Sequence, residues 1–160
     1  MNMVVLGLDT ATKTGWAFYD SKSGKVIESG VQDFSKKRGE SNGLLFMRFR
    51  KWLQDLVKLA PVRVGLVAYE RAHHRGGAAT ELCVNLTGRV QEICAGLEIE
   101  CAAVPTMTLK KWATGKGNAG KSEMIEAALK VRHSSKVAGY LTDDEADAIH
   151  VARWAAEEYA

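Results

Sequence analysis

Two short apolar runs in this chain each close on a single acid: MVVLGLD at residues 3–9, and VRVGLVAY at 62–69 followed by Glu70. Runs of this length, rich in Val and Leu and bounded by turn residues, are too short for core helices and read as buried strands. An acid at the end of such a strand stands at the open edge of a sheet, where ligands gather. If the two strands are neighbours, Asp9 and Glu70 lie close together. Close carboxylates repel unless a cation neutralises them, and hard cations such as Mg²⁺ or Mn²⁺ prefer oxygen ligands.

The segments between these runs constrain the fold further. Residues 14–20 read as a second strand, with Gly15 at the turn, and residues 25–34 as a third; short connections make these an antiparallel meander. From Leu44 to Ala60, Leu45, Phe49, Trp52, Leu53, Leu56 and Leu59 follow helical spacing, and Pro61 ends that helix. Residues 78–95 carry Leu82, Leu86, Val90 and Ile93 at the same period, and 97–104 read as a fifth strand. Pro105 and Thr106 open a short helix to Trp112. The glycine-rich stretch Gly115–Gly120 leads to a helix from Lys121, and a last helix runs from about Thr142 to Tyr159. Thr142 is its expected N-cap, with Glu145 as capping-box partner. Three strands followed by alternating helix and strand predict an α/β fold, a mixed five-stranded sheet flanked by helices. Without an internal repeat or linker, 1–160 is expected to be one domain.

The last helix supplies more acids. At about 100° per residue, Asp144 shares a face with the apolar Ala148, Val151 and Ala155, and Asp147 flanks that stripe. An Asp on an apolar face is costly unless partnered. Asp143 and Glu145 fall on other faces and read as solvated or capping acids. Four carboxylates, Asp9, Glu70, Asp144 and Asp147, suffice for two metal ions that hydrolyse a phosphodiester without a serine, cysteine or histidine nucleophile.

Charge points the same way. The net charge is +3, and the basic residues cluster: Lys36, Lys37 and Arg38; Arg71, His73, His74 and Arg75; Lys110, Lys111, Lys116 and Lys121. Such clusters suit a polyanion. Lys121 follows a glycine-rich loop and opens a helix, a favourable place for a phosphate. No apolar run approaches the roughly 20 residues of a membrane helix, and no signal peptide opens the chain, so a cytoplasmic protein without membrane contact is expected. Cys83, Cys94 and Cys101 cannot all pair and form no CxxC pattern. They read as small buried thiols rather than a disulfide framework or zinc site.

Taken in order, LGLDTATKTGWAF (6–18), VAYERAHH (67–74), VPTMTLKKWATGKGNAGK (104–121) and DEADA (144–148) resemble the motifs of the RuvC family of Holliday-junction resolvases, within the RNase H-like superfamily. The resemblance spans nearly the whole chain. It implies an RNase H-like fold, a Mg²⁺-dependent catalytic tetrad of Asp9, Glu70, Asp144 and Asp147, and DNA contacts by Lys110 and Lys121 near the scissile phosphate. Lys116, Arg71, His73, His74 and Arg75 join the expected DNA-binding set. The family's DPG is DTA here, and His73 stands where the family often places an aromatic residue that probes the junction centre. The implied setting is a bacterial cell, and the short chain suits the phage-encoded branch. A homodimer is expected, paired through the 78–95 helix, whose Leu82, Leu86 and Ile93 exceed what one core face needs.

Three other readings compete. GLDTATKTG also fits the first phosphate loop of actin-like and sugar-kinase-like ATPases, but those need two such domains. A non-catalytic module for branched DNA gains nothing from carboxylates facing phosphates. A related nuclease acting on an RNA–DNA hybrid, flap or fork shares every residue-level feature.

Overall fold

The computed structural model describes residues 2–72, 76–131 and 141–160. In chain order the elements are β1 (Val4–Asp9), β2 (Lys13–Asp20), β3 (Lys25–Asp33), α1 (Asn42–Lys58), β4 (Val64–Glu70), α2 (Gly77–Gly96), β5 (Glu100–Val104), α3 (Thr106–Thr114), α4 (Lys121–Val131) and α5 (Asp143–Tyr159). The strands form one five-stranded sheet in the order β3-β2-β1-β4-β5. The meander β1–β2–β3 is antiparallel, and β1, β4 and β5 run parallel. This is the mixed, helix-flanked sheet expected from the sequence, with β1 and β4 adjacent at its centre.

Strand alternation sends side chains to two cores. Leu6, Leu8, Phe18, Val67 and Tyr69 face α1 and α2, where they meet Leu45, Phe49, Leu53, Leu86, Val90 and Ile93. Val5, Leu66, Ala68 and Val104 face the other way, onto Leu109, Met124, Val151, Ala152 and Ala155. Phe49 is fully buried and its ring packs edge-on to Phe34, centroids 5.3 Å apart; truncating such a side chain to alanine costs about 3–5 kcal/mol.

Helix α5 crosses β1 and β2 at unusually short range, and two glycines permit it. A Cβ on Gly7 would overlap the Ala148 carbonyl and the Ala152 backbone nitrogen, and one on Gly15 would overlap the Asp144 carbonyl. Gly15 is thus not a turn residue. It lies inside β2, in register with Asp9, and the hairpin turn is made by 10–12. There the Thr14 hydroxyl donates to the Ala11 carbonyl at 2.7 Å.

Element ends differ in two further places. Leu97 caps α2 and Glu98 adopts a positive φ of 55°, so β5 starts at Glu100 rather than at 97. Leu59 caps α1, three residues after which the chain is still turning, and β4 starts at Val64. The cysteines do not share one environment: Cys94 is buried, Cys83 half-buried and Cys101 exposed. Leu86 and Ile93 are buried in the core, and the half-buried Leu82 packs on it, so of the three residues invoked for pairing only Leu82 keeps exposed apolar surface. Among the described residues no helix is long and apolar enough to cross a membrane.

Candidate active site

The sheet topology brings the two strand-terminal acids together. Tyr69, the neighbour of Glu70, stands beside Leu8, the neighbour of Asp9, in the parallel β1–β4 ladder. From above, α5 lowers its first two turns onto the same edge, held there by the Gly7 and Gly15 contacts. As a result one carboxylate oxygen each from Asp9, Glu70 and Asp147 lie within 4.8 Å of one another. Asp144 adjoins this trio and shares a hydrogen bond with Asp9.

Crowding and burial make these acids hard to ionise together. Burial pushes the Asp9 carboxyl well above its ordinary value, and the charges of Glu70, Asp147, Asp144 and Asp143 push it further. Asp147 is pushed up to about 7, chiefly by burial and then by Glu70, Asp143 and Asp144, against the pull of Lys110. Asp144 is raised by burial and by Asp143; its bond to Asp9 and the charges of Lys121 and Lys13 oppose that rise. An all-oxygen set of this spacing, carrying more negative charge than its surroundings neutralise, fits a hard divalent cation.

Supporting contacts hold these carboxylates and their neighbours in place. The Thr106 hydroxyl, in the first turn of α3, donates to Glu70 Oε1 at 2.5 Å. The Thr142 hydroxyl caps α5 by accepting from the Glu145 backbone N–H at 3.2 Å, as expected. Glu145 itself is neither solvated nor confined to a capping role. It is buried and accepts from the Ser29 hydroxyl on β3 at 2.7 Å, which ties α5 to the far side of the meander. Asp143 is not a free solvated acid either; it pairs with Lys121 at 3.2 Å.

The basic residues divide. Lys110 and Lys121 stand near enough to act on Asp147 and Asp144 respectively. Arg71 is exposed just beyond Glu70, its backbone N–H held by the Val104 carbonyl at 2.8 Å. Lys116 points instead to Glu123, 3.7 Å away. His73, His74 and Arg75 lie outside the described residues. The structure adds Lys13, Thr106 and Cys83 to the neighbourhood. Lys13 opens β2 and acts on Asp144. The Cys83 thiol donates to the Thr10 carbonyl at 3.3 Å and feels the charges of Asp9 and Glu70. Lys13 was legible as the residue just past the Asp9 turn; Thr106 and Cys83 reach the site only through the packing of α3 and α2.

An open groove of about 1060 Å³ lies at the opposite end of the sheet, lined by Val4, Val64 and Glu100 among others. It is remote from the acid cluster at the carboxyl ends of β1 and β4.

No protein-family model matches the chain, and no curated protein matches it. Solved structures do. T. thermophilus RuvC in complex with a Holliday junction substrate superposes with a TM-score of 0.76 at 19% identity, over 94% of this chain and 91% of that one. A second Thermus thermophilus RuvC structure gives 0.70 at 18% identity, over 94% and 92%. The chain therefore has a RuvC-like fold, with the RNase H-like mixed five-stranded sheet.

Proposed function

We propose that the chain is a divalent-metal-dependent endonuclease that resolves four-way and other branched DNA. The observation that carries this reading is the close group of Asp9, Glu70 and Asp147 oxygens, within 4.8 Å, on the open edge of a RuvC-like sheet. Asp9, Glu70 and Asp147, with Asp144 beside them, would hold Mg²⁺ or Mn²⁺. When bound, a pair of such ions supplies an activated water and stabilisation of the leaving oxygen of the phosphodiester.

The chain's own residues do the rest. Thr106 orients Glu70 by donating to its Oε1. Burial and mutual repulsion raise the Asp9 carboxyl and so oppose full charging of the cluster without a cation. Lys110 and Lys121, whose charges act on Asp147 and Asp144, would hold the phosphates on either side of the cut, and Arg71, Lys116, His73, His74 and Arg75 are the further DNA contacts this reading expects. A homodimer would match the two-fold symmetry of a four-way junction and place one site on each of two opposing strands.

The test is cleavage of a panel: four-way junction, fork, flap, RNA–DNA hybrid and plain duplex, each with Mg²⁺. The reading expects the junction to be cut fastest, with paired cuts. Preferred cleavage of the hybrid would move the chain to another RNase H-like activity, and no cleavage of any substrate would end the nuclease reading.

A further inference from the structure

The loop between β3 and α1 is not used by the site described above, yet it is built around three exposed cations. Lys36, Lys37 and Arg38 stand out from it, and none has an ion-pair partner among the described residues. The loop is anchored at both ends. Phe34 is buried against Phe49 and Trp52, with ring centroids 5.3 Å away in each case. Its backbone N–H donates to the Thr12 carbonyl at 2.8 Å. Beyond the cations, Gly39 takes a φ of 85°, and the chain folds back so that Glu40 accepts from the Lys37 backbone N–H at 3.1 Å. Arg48 grips the same Glu40 carboxylate through both guanidinium nitrogens, at 2.5 and 2.7 Å. The nearby acids are thus occupied: Glu40 by Arg48 and Lys37, Asp33 by the Ser35 backbone N–H at 2.8 Å.

Position gives this platform its meaning. Thr12 follows Asp9 by one tight turn, and Lys13 pairs with Asp33 across the β2–β3 ladder, so the loop rises at the same sheet end as the acid cluster. In the order β3-β2-β1-β4-β5 it stands two strands to one side of Asp9, and the β5 end that leads into α3 stands two strands to the other. Two strand spacings are about 10 Å, close to the roughly 12 Å across a DNA major groove. A phosphate seated at the acid cluster and one held by the loop, two spacings away, would therefore belong to different strands.

We propose that Lys36, Lys37 and Arg38 grip the backbone of the uncut strand in the duplex arm whose other strand enters the acid cluster. The loop is then a duplex sensor: it adds affinity only where a complementary strand is present. This rests on the acid cluster being the place of cutting.

The test is binding in EDTA, where no metal-dependent cleavage intervenes, using a labelled duplex and the matching single strand over a range of salt. For the triple variant Lys36→Ala, Lys37→Ala, Arg38→Ala, duplex affinity should fall at least tenfold and the log–log salt slope by about 2–3, as expected for two or three lost phosphate contacts. Single-strand affinity should stay within about twofold, because the shared cutting-site contacts remain. Equal loss on both DNAs, or loss on neither, overturns the proposal. Glu40→Gln supplies an independent arm. It makes the loop more positive but removes the carboxylate that Arg48 holds. A fixed grip predicts weaker duplex binding, and tighter binding would show diffuse charge only. Because no cleavage is read, failure of the nuclease reading on the substrate panel leaves these outcomes separately interpretable.

Discussion

Replacing Asp147 with asparagine should stabilise the metal-free protein at pH 8. In the folded chain this carboxyl is held at about 7 against an ordinary 3.8. The folded state therefore binds a proton more tightly than the unfolded one. The stability associated with that proton is fully present below about pH 4 and is lost as pH rises through about 7. At about 1.36 kcal/mol per pH unit the full shift corresponds to up to about 4 kcal/mol. Partial solvent access, and the ability of neighbouring Asp9 to take up the same proton, reduce this to about 2 kcal/mol. The asparagine keeps the shape and cannot ionise. For a chain of 160 residues the gain translates into roughly 4–8 °C in Tm. Thermal unfolding in EDTA at pH 5, 6, 7 and 8 reads it directly. The window excludes the Glu40–Arg48 pair, whose carboxyl is lowered to about 2 by Arg48 and so weakens the fold only in stronger acid. The wild type should lose more stability between pH 5 and 8 than Asp147→Asn, in which the raised Asp9 and Asp144 carboxyls still titrate; with Mg²⁺ the order should reverse, because the wild type gains more. A variant that melts below the wild type in EDTA at pH 8 would refute the account of crowding at the cluster.

Three other perturbations probe what positions the site. Gly15→Ala forces a methyl into the Asp144 carbonyl; it should cost at least about 2 kcal/mol, seen as a fall in Tm, together with weakened metal binding. Thr106→Val removes the donor to Glu70 and should lower Mn²⁺ affinity about 10- to 100-fold, the range for supporting hydrogen bonds around metal ligands, with the Tm little changed. Lys121→Ala breaks an exposed pair with Asp143, so stability should move by less than about 0.5 kcal/mol. The salt slope of DNA binding should fall by about 1.

Much of the fold was readable because its signals are periodic. Leu45, Phe49 and Leu53 mark α1 as amphipathic, and the uninterrupted apolar β1 and β4 could only be central strands. Asp9 and Glu70 stood out for the same reason, as charges ending runs that tolerate none. What remained hidden depends on contacts distant in sequence. Gly15 looked like a turn residue because glycine punctuates turns, whereas here it clears room for the backbone of α5, some 130 residues later. Glu145 looked solvated because helical phase alone cannot reveal Ser29 waiting on β3. The apolar side of α2 looked like surplus because one helix does not disclose how much of it a sheet and α1 will cover.

The account's central claim is tested most directly by cutting a synthetic four-way junction in the presence of Mg²⁺, comparing the wild type with Asp9→Asn and Asp147→Asn. Binding of each to the junction is measured alongside in EDTA. The account predicts cleavage by the wild type and loss of at least about 10³-fold in rate for each variant, corresponding to about 4 kcal/mol of transition-state stabilisation, with junction binding retained. Cleavage by both variants at the wild-type rate would contradict it.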